Sequence, residues 1–241
     1  MSTNNGSGLV VSAFLIAVGI ASAGYFVSET LYKSKIALNT AEVKGLAERR
    51  VQADTAYWTI EYSVAGKTRS EIQSLYGKSE NDQARIIALL KDSGFTDDEI
   101  TPGVIEYQKR EYRDHSQRLI EETHSLLGEI EVQTQNVALV ADGRAKLNRL
   151  IAEGLDIRNN VPAYHFTKLN DIKPDMLKEA TRNARIAANE FAINADVKVG
   201  GIRSARQGGF VITDVGERYG DTQKLEKDVR VVTTVTFFLD D

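Results

Sequence analysis

Residues 55–64 read TAYWTIEYSV. Ala56, Trp58, Ile60, Tyr62 and Val64 fall on one side of an extended chain, and Thr55, Tyr57, Thr59, Glu61 and Ser63 on the other. A period of two held over a whole decapeptide predicts a β-strand with one face in a core. Residues 229–239, VRVVTTVTFFL, repeat the pattern: Val229, Val231, Thr233, Val235, Phe237 and Leu239 alternate with Arg230, Val232, Thr234, Thr236 and Phe238. Both strands carry apolar or aromatic residues on their second face as well. That face is therefore expected to be covered by another layer or another subunit.

Outward from these strands, residues 42–51 alternate around Val43, Gly45, Ala47 and Val51, and Gln52-Ala53-Asp54 is expected to join this strand to 55–64 as a hairpin. The period then lengthens. Ile72, Leu75, Tyr76, Ile86, Ile87, Leu89 and Leu90 predict helix between 69 and 91, with Gly77 as a break and Ser93-Gly94 as its C-terminal cap. Residues 104–113 and 128–135 read as an antiparallel pair flanking an exposed charged tip at 114–122. Asp142 is placed to cap a helix over 143–153. A strand at 163–169 precedes a long helix with Pro174 in its first turn and Leu177, Ala180, Ala184, Ala187 and Phe191 as its buried stripe. Strands at 197–204 and 209–213 come before 229–239. With 197–204 and 209–213 taken as one strand region interrupted at its glycines, the order ββαββαβαββ predicts an α+β fold, a mostly antiparallel sheet with helices packed on one face.

The 241 residues carry a net charge of −4, with 27% charged and 42% hydrophobic side chains interspersed as in globular proteins. No basic stripe is present, so no nucleic-acid partner is expected. There is no cysteine, which excludes disulfides, thiol nucleophiles, thiolate metal sites and a lipidated cysteine anchor.

No charged side chain precedes Glu29. Residues 9–27, LVVSAFLIAVGIASAGYFV, are long enough at ~1.5 Å per residue to cross a ~30 Å hydrocarbon layer. Two readings stand. Ala21-Ser22-Ala23 resembles a signal-peptidase site, while the length of the run and the lack of a basic leader favour a retained membrane anchor. The anchor reading divides the chain into a tail (1–8), a span (9–27), a linker or helix extension (28–40) and a domain (41–241). Ala13, Ala17 and Ala21 form a small-residue ladder of the kind that lets membrane helices approach, or are simply common alanines. Lys33 and Lys35 follow the span and no Lys or Arg precedes it, a charge bias that by itself favours the inverted orientation.

Several stretches resemble one family. Val43-Lys44-Gly45 with Ala53-Asp54-Thr55-Ala56, the segment KDSGFTDDEIT at 91–101, the alanines from Ala180 to Ala192 followed by Val199-Gly200-Gly201-Ile202, and the closing VRVVTTVTFFL are together similar to the SIMPL-domain family. Ala53 stands where that family often has proline. The resemblance covers about residues 41–239. It implies export, a mixed sheet-and-helix fold and, in some members, ring-like oligomers. It supplies no catalytic residues, and it outweighs the charge bias in placing the domain outside the cytoplasm.

His115 and His124, with Asp114, Glu121 and Glu122, are candidate metal ligands, but their segment reads as a solvated hairpin tip. His165 sits between Tyr164 and Phe166 in a strand. Asp97-Asp98 and Glu121-Glu122 are adjacent carboxylates, which read as solvated loop rather than as a converging acid–base pair. Gly6-Ser7-Gly8 precedes the span, and no nucleophile elbow or phosphate loop is present. Gly200-Gly201 and Gly208-Gly209 read as strand bulges, with Arg203 and Arg206 between them as candidates to contact an anion. Trp58, Tyr57, Tyr62, Tyr107 and Tyr112 are candidates for one aromatic cluster in a core or interface. The expectation is a non-enzymatic protein of the bacterial inner membrane, anchored through 9–27 with its domain in the periplasm, without metal or cofactor. It is expected to act as a homo-oligomeric scaffold linked to envelope stress, with its protein partner open. The competing expectation is a ligand-binding or enzymatic pocket between sheet and helices.

Overall fold

The computed structural model describes residues 6–36 and 39–240. Helix α1 (Gly6–Ile36) is followed by β1 (Thr40–Gln52), β2 (Thr55–Gly66), α2 (Ile72–Asp92), β3 (Ile100–Pro102), β4 (Glu106–Arg113), β5 (Leu119–Thr134), α3 (Ala138–Ala152), β6 (Asp156–Asn159), β7 (Ala163–His165), α4 (Leu169–Asn194), β8 (Lys198–Gln207), β9 (Val211–Asp214) and β10 (Glu226–Asp240). The fold is α+β with antiparallel sheets. Of the expected tail at 1–8, residues 1–5 lie outside the described residues, as do 37 and 38 of the linker.

Helix α1 carries an apolar stretch from Val10 to Tyr32, long enough to cross a membrane, with none of it buried. It is one continuous helix to Ile36, so most of the expected linker extends the helix.

Within residues 41–241 the chain divides into two compact units. The first holds β1 as far as Ala47, α4 from Asp175, β8, and β10 from Val231; the second holds Glu48–Pro174 and Phe210–Arg230. Among the described strands, one sheet has the order β1-β10-β8, with β9 also on β10. The other has the order β3-β5-β2-β6, with β4 on β5 and β7 on β2. Strands β1 and β2 therefore do not form the expected hairpin. Nor do the helices all cover one sheet, because the chain passes between two sheets at Ala53-Asp54.

In the first unit, Val43, Ala184, Ala188, Val235 and Phe237 make the core, with Ala187 and Val199 against it. The buried stripe of α4 is Met176, Ala180, Ala184, Ala188 and Ala192. Alanine every fourth residue lets the helix lie close on the sheet. Phe191, expected in that stripe, is 65% exposed. The helix begins at Leu169, so Pro174 lies inside it rather than in its first turn.

In the second unit, Ala56, Trp58, Ile60 and Tyr62 of β2 and Ile130 and Val132 of β5 form the sheet side of the main core, and Ile86 and Leu90 of α2 and Val140 and Leu147 of α3 the helix side. Helix α2 runs unbroken through Gly77. Helix α3 starts five residues earlier than expected, and Asp142 is an exposed interior residue paired with Lys146 at 3.1 Å, not a cap. The strand expected from Gly128 starts at Leu119, because Glu122, His124, Leu126, Gly128 and Ile130 continue one face of the same alternation.

Two polar anchors fix the second unit. The Asp54 carboxylate accepts hydrogen bonds from the backbone N–H of Thr167 (3.1 Å) and Lys168 (3.0 Å) and from Thr167 Oγ1 (2.8 Å), just ahead of α4. Burial works to raise its pKa, but the hydrogen bonds from Thr167, Thr55 and Lys168 outweigh it and hold the carboxyl below its ordinary value. Lys227 is 0% exposed and pairs with buried Asp214, while its Nζ also donates to Asp221 O at 2.7 Å. The Asp214 carboxyl is likewise held low against its burial, by hydrogen bonds from Lys227 and from the backbone N–H of Gln223 and Lys224. This clasp closes the loop between β9 and β10.

Candidate functional site

The feature that departs most from a closed globular surface is the hairpin arm made by β4 and the first half of β5. The turn at its end is sequence-coded. The Asp114 carboxylate accepts the N–H groups of Ser116 and Arg118, both at 2.8 Å, and Asp114 N–H donates to Arg118 O, with Gln117 at φ 62°. All eight residues of β4 are exposed, and among the described strands β4 pairs with β5 alone. Pairing runs from Glu106↔Leu127 to Tyr112↔Glu121, then slips by one residue at Arg113↔Leu119. The slip is a bulge at Ile120, which twists the tip of the arm.

One face of the arm is a charge ladder. Lys109 Nζ reaches Glu111 at 2.8 Å and Glu122 at 3.0 Å, and Arg113 reaches Glu111 at 2.6 Å. The Glu111 carboxyl is lowered to about 2 by hydrogen bonds from Lys109 and Arg113. The pKa of Glu122 is lowered mainly by Lys109, and that of Lys109 is raised in return, mainly by Glu111. At the base of the ladder His124 is 1% exposed. Its Nδ1 lies 2.6 Å from Tyr107 Oη, with the two rings stacked at 5.9 Å. Its Nε2 lies 2.6 Å from Glu122 Oε1, close enough for an ion pair but off the angle of a hydrogen bond. The opposite face carries Arg110 and Tyr112, and Leu119 and Ile120 stand exposed near the tip.

The metal candidates do not come together. His115 is an exposed turn residue and His124 is buried among Tyr107 and Glu122. Among the described residues no group of three His, Asp or Glu side chains is placed to hold an ion. His165 is half-buried, edge-on to Tyr57 at 5.4 Å. Asp97 pairs with Lys91. Gly6-Ser7-Gly8 opens helix α1. The bulge reading of Gly200-Gly201 agrees with register shifts between β8 and β10 at Phe237–Leu239, while Gly208-Gly209 lie just past β8. Arg203 and Arg206 stand on this edge strand, where Arg206 lines a groove with Glu42, Thr234 and Thr236. The five aromatics separate: Trp58 and Tyr62 are core, and Tyr57, Tyr107 and Tyr112 are exposed.

The arm as a surface, and the burial of His124, escaped the sequence reading. The signal was present in the even-numbered run from Glu122 to Ile130, but acidic residues on both faces of its first turn disguised it as a loop.

The first unit carries a groove of about 360 Å³ between α4 and the β8–β10 pair, lined by Thr181, Arg182, Arg185, Ile186, Asn189, Ile202 and Phe237. The Arg185 guanidinium lies 5.5 Å over the Phe237 ring and donates to the carbonyls of Val199 and Gly200 at 3.3 Å each. The cation is thus committed to the fold.

The sequence search against curated proteins gives no match. Among solved structures, the one described as "a putative aminohydrolase from methicillin resistant Staphylococcus aureus" aligns at 13% identity and a TM-score of 0.25, over 59% of this chain and 39% of that one. The chain thus spans about two fifths of that protein, and a likeness so low carries no argument about fold or activity. The family comparison is of a different order. The profile of SIMPL, described as a protein of unknown function (DUF541), matches residues 41–237, and the chain belongs to that family.

Proposed function

We propose that the protein is a membrane-anchored, non-enzymatic scaffold that self-associates through its β4–β5 arm. In this reading residues 9–27 stay as a single span in a bacterial inner membrane. Residues 1–8 face the cytoplasm, and 41–241 work in the periplasm, where the assembled subunits serve envelope-stress tolerance. The observation that carries it is β4, an eight-residue edge strand exposed throughout. An edge strand presents unpaired N–H and C=O groups to any strand of compatible register. Tyr112 and Ile120, 67% and 61% exposed, add the apolar and aromatic contact that interface centres favour. A head-to-tail contact that closes by rotation makes a ring, and a common membrane anchor would hold its subunits parallel.

The test uses the cysteine-free background. A full chain carrying Tyr112→Cys, labelled there with a maleimide–benzophenone reagent and irradiated in its own membrane, is expected to give dimers and higher species, because the photoreactive end captures whatever surface of the next subunit lies against the arm. If only monomers appear at Tyr112→Cys and also at Arg110→Cys, association through the arm is overturned.

A further inference from the structure

The tether between the apolar helix and the first strand is short. Helix α1 ends at Ile36 and β1 starts at Thr40, so four residue steps, at most ~14 Å of chain, separate them. Whatever holds α1 therefore holds the start of β1 nearby.

Two contacts and one short connection place other elements at that same end of the first unit. Leu239 N–H donates to Asn39 O at 2.9 Å, which sets the end of β10 beside the start of β1. Leu239 pairs with Val199 and Asp240 with Lys198, which sets the start of β8 there. Helix α4 ends only three residues before β8, at Asn194. The packing of Gly45 against Ala180 and Ala184 agrees. Five strand residues from Thr40 to Gly45 and ten helix residues from Asn194 back to Ala184 both span about 15 Å.

The last turns of α4 are unusual for a helix end. Phe191 lies on the flank turned toward the sheet, near Ala184 and Ala188 in helical phase, yet is 65% exposed; Ile193, on the far side, is 69% exposed. Apolar exposure on opposite sides of one turn points to a tip that enters an apolar medium end-on, rather than to a stripe docking a partner helix. Ile186, two turns back from Ile193 on the same side, lines the groove it shares with Ile202. The charges at this end are mixed, Lys198 against Asp196 and Asp240, so the chemistry selects the polar–apolar boundary of a bilayer over an anionic headgroup in particular.

We propose that Phe191 and Ile193, at the C-terminal tip of α4, seat the first unit in the interfacial layer of the same bilayer that α1 crosses. The docking rests on the retained-anchor reading. The unit is then held at two points, span and tip, which fixes its tilt on the membrane.

The test is site-directed spin labelling of the full chain in lipid nanodiscs, with single cysteines at Phe191→Cys, Ile193→Cys, Ile16→Cys and Gln207→Cys. Collision rates with oxygen and with a water-soluble nickel chelate report depth. Gln207 lies at the other end of β8, nine residues or about 30 Å from Lys198. The expected result is a buried lipid signature at 16, an interfacial one at 191 and 193, and full water exposure at 207. A deep signal at 16 with water exposure at 191 and 193 overturns the docking and leaves the anchor standing. Protection from both reagents at 191 or 193 means a protein neighbour covers the tip, and also overturns it. Water exposure at 16 removes the anchor, and the docking with it.

Discussion

Gly45 of β1 lies so close under Ala180 of α4 that a Cβ on the glycine would overlap the Ala180 carbonyl oxygen. Strand and helix meet backbone to backbone, with alanines on one side and no side chain on the other. Neither partner can grow without lifting α4 off the sheet, and most of the first unit's core lies beneath that helix.

Replacing Gly45 with alanine is therefore expected to destabilise the first unit by about 3 kcal/mol, the upper range of an overpacked core site. Gly201→Ala, where a Cβ meets open space, is expected to stay within about 0.5 kcal/mol. Urea unfolding followed by circular dichroism checks both. Equal effects would remove the close-approach argument.

The Lys227–Asp214 clasp carries a second prediction. Lys227→Met leaves the Asp214 carboxylate buried without its partner and is expected to cost about 3–5 kcal/mol. The paired change Lys227→Met with Asp214→Asn is expected to recover most of that, because no charge is left buried and the amide oxygen still accepts the Gln223 N–H. Denaturant midpoints of the single and double variants decide it, and a double variant as unstable as the single one would contradict the account.

Asp54 stands 113 residues from the backbone it caps. Asp54→Ala removes three acceptor contacts ahead of α4 and is expected to cost about 2 kcal/mol. Amide exchange at Thr167 and Lys168 is expected to speed up, which a general loss of packing would not confine to those two groups.

The arm has a pH signature. The Glu111 carboxyl is held at about 2, below the ~4.3 of a free glutamate. A depressed folded value means that the ionised form favours the arm. Its contribution is complete above about pH 4.3, declines below that, and is gone once the pH falls through about 2. Carboxyl chemical shifts should show a Glu111 midpoint near 2 in the native chain. In a Lys109→Met, Arg113→Met variant the midpoint should return toward the ordinary glutamate value.

Where one physical preference governs a segment, the sequence was readable. Ala56 to Val64 and Val229 to Phe237 alternate because one face is core, and the structure buries those faces. The family, too, was legible in short motifs such as Val43-Lys44-Gly45. Its glycine is explained by the Ala180 contact, and its Asp54 by the approach to α4. The misreadings came where distant partners decide. Nothing local tells β1 to leave β2 and pair with β10. Asp142 looks like a cap, but the helix already begins at Ala138, after a turn in which Asn136 N–H donates to Thr134 Oγ1. Phe191 shares the helical phase of Ala180 and Ala184, but a stripe at every fourth residue rotates around the helix, and at Ala188 and Ala192 it has turned away from Phe191. His124 reads as solvent-facing among acids, until Tyr107 from the neighbouring strand closes over it. No local signal separates an exposed edge strand from a covered one, so the arm became visible only with β4 and β5 in register.

The most direct test of self-association is the native mass of the full chain solubilised in a mild detergent, compared with a Tyr112→Asp, Ile120→Asp variant. Both positions are exposed on the arm, and the substitutions are expected to leave folding stability nearly unchanged. The account predicts one discrete oligomer for the native chain and a folded monomer for the variant. A native chain that is monomeric at high concentration, or an oligomer that survives both substitutions, would contradict it.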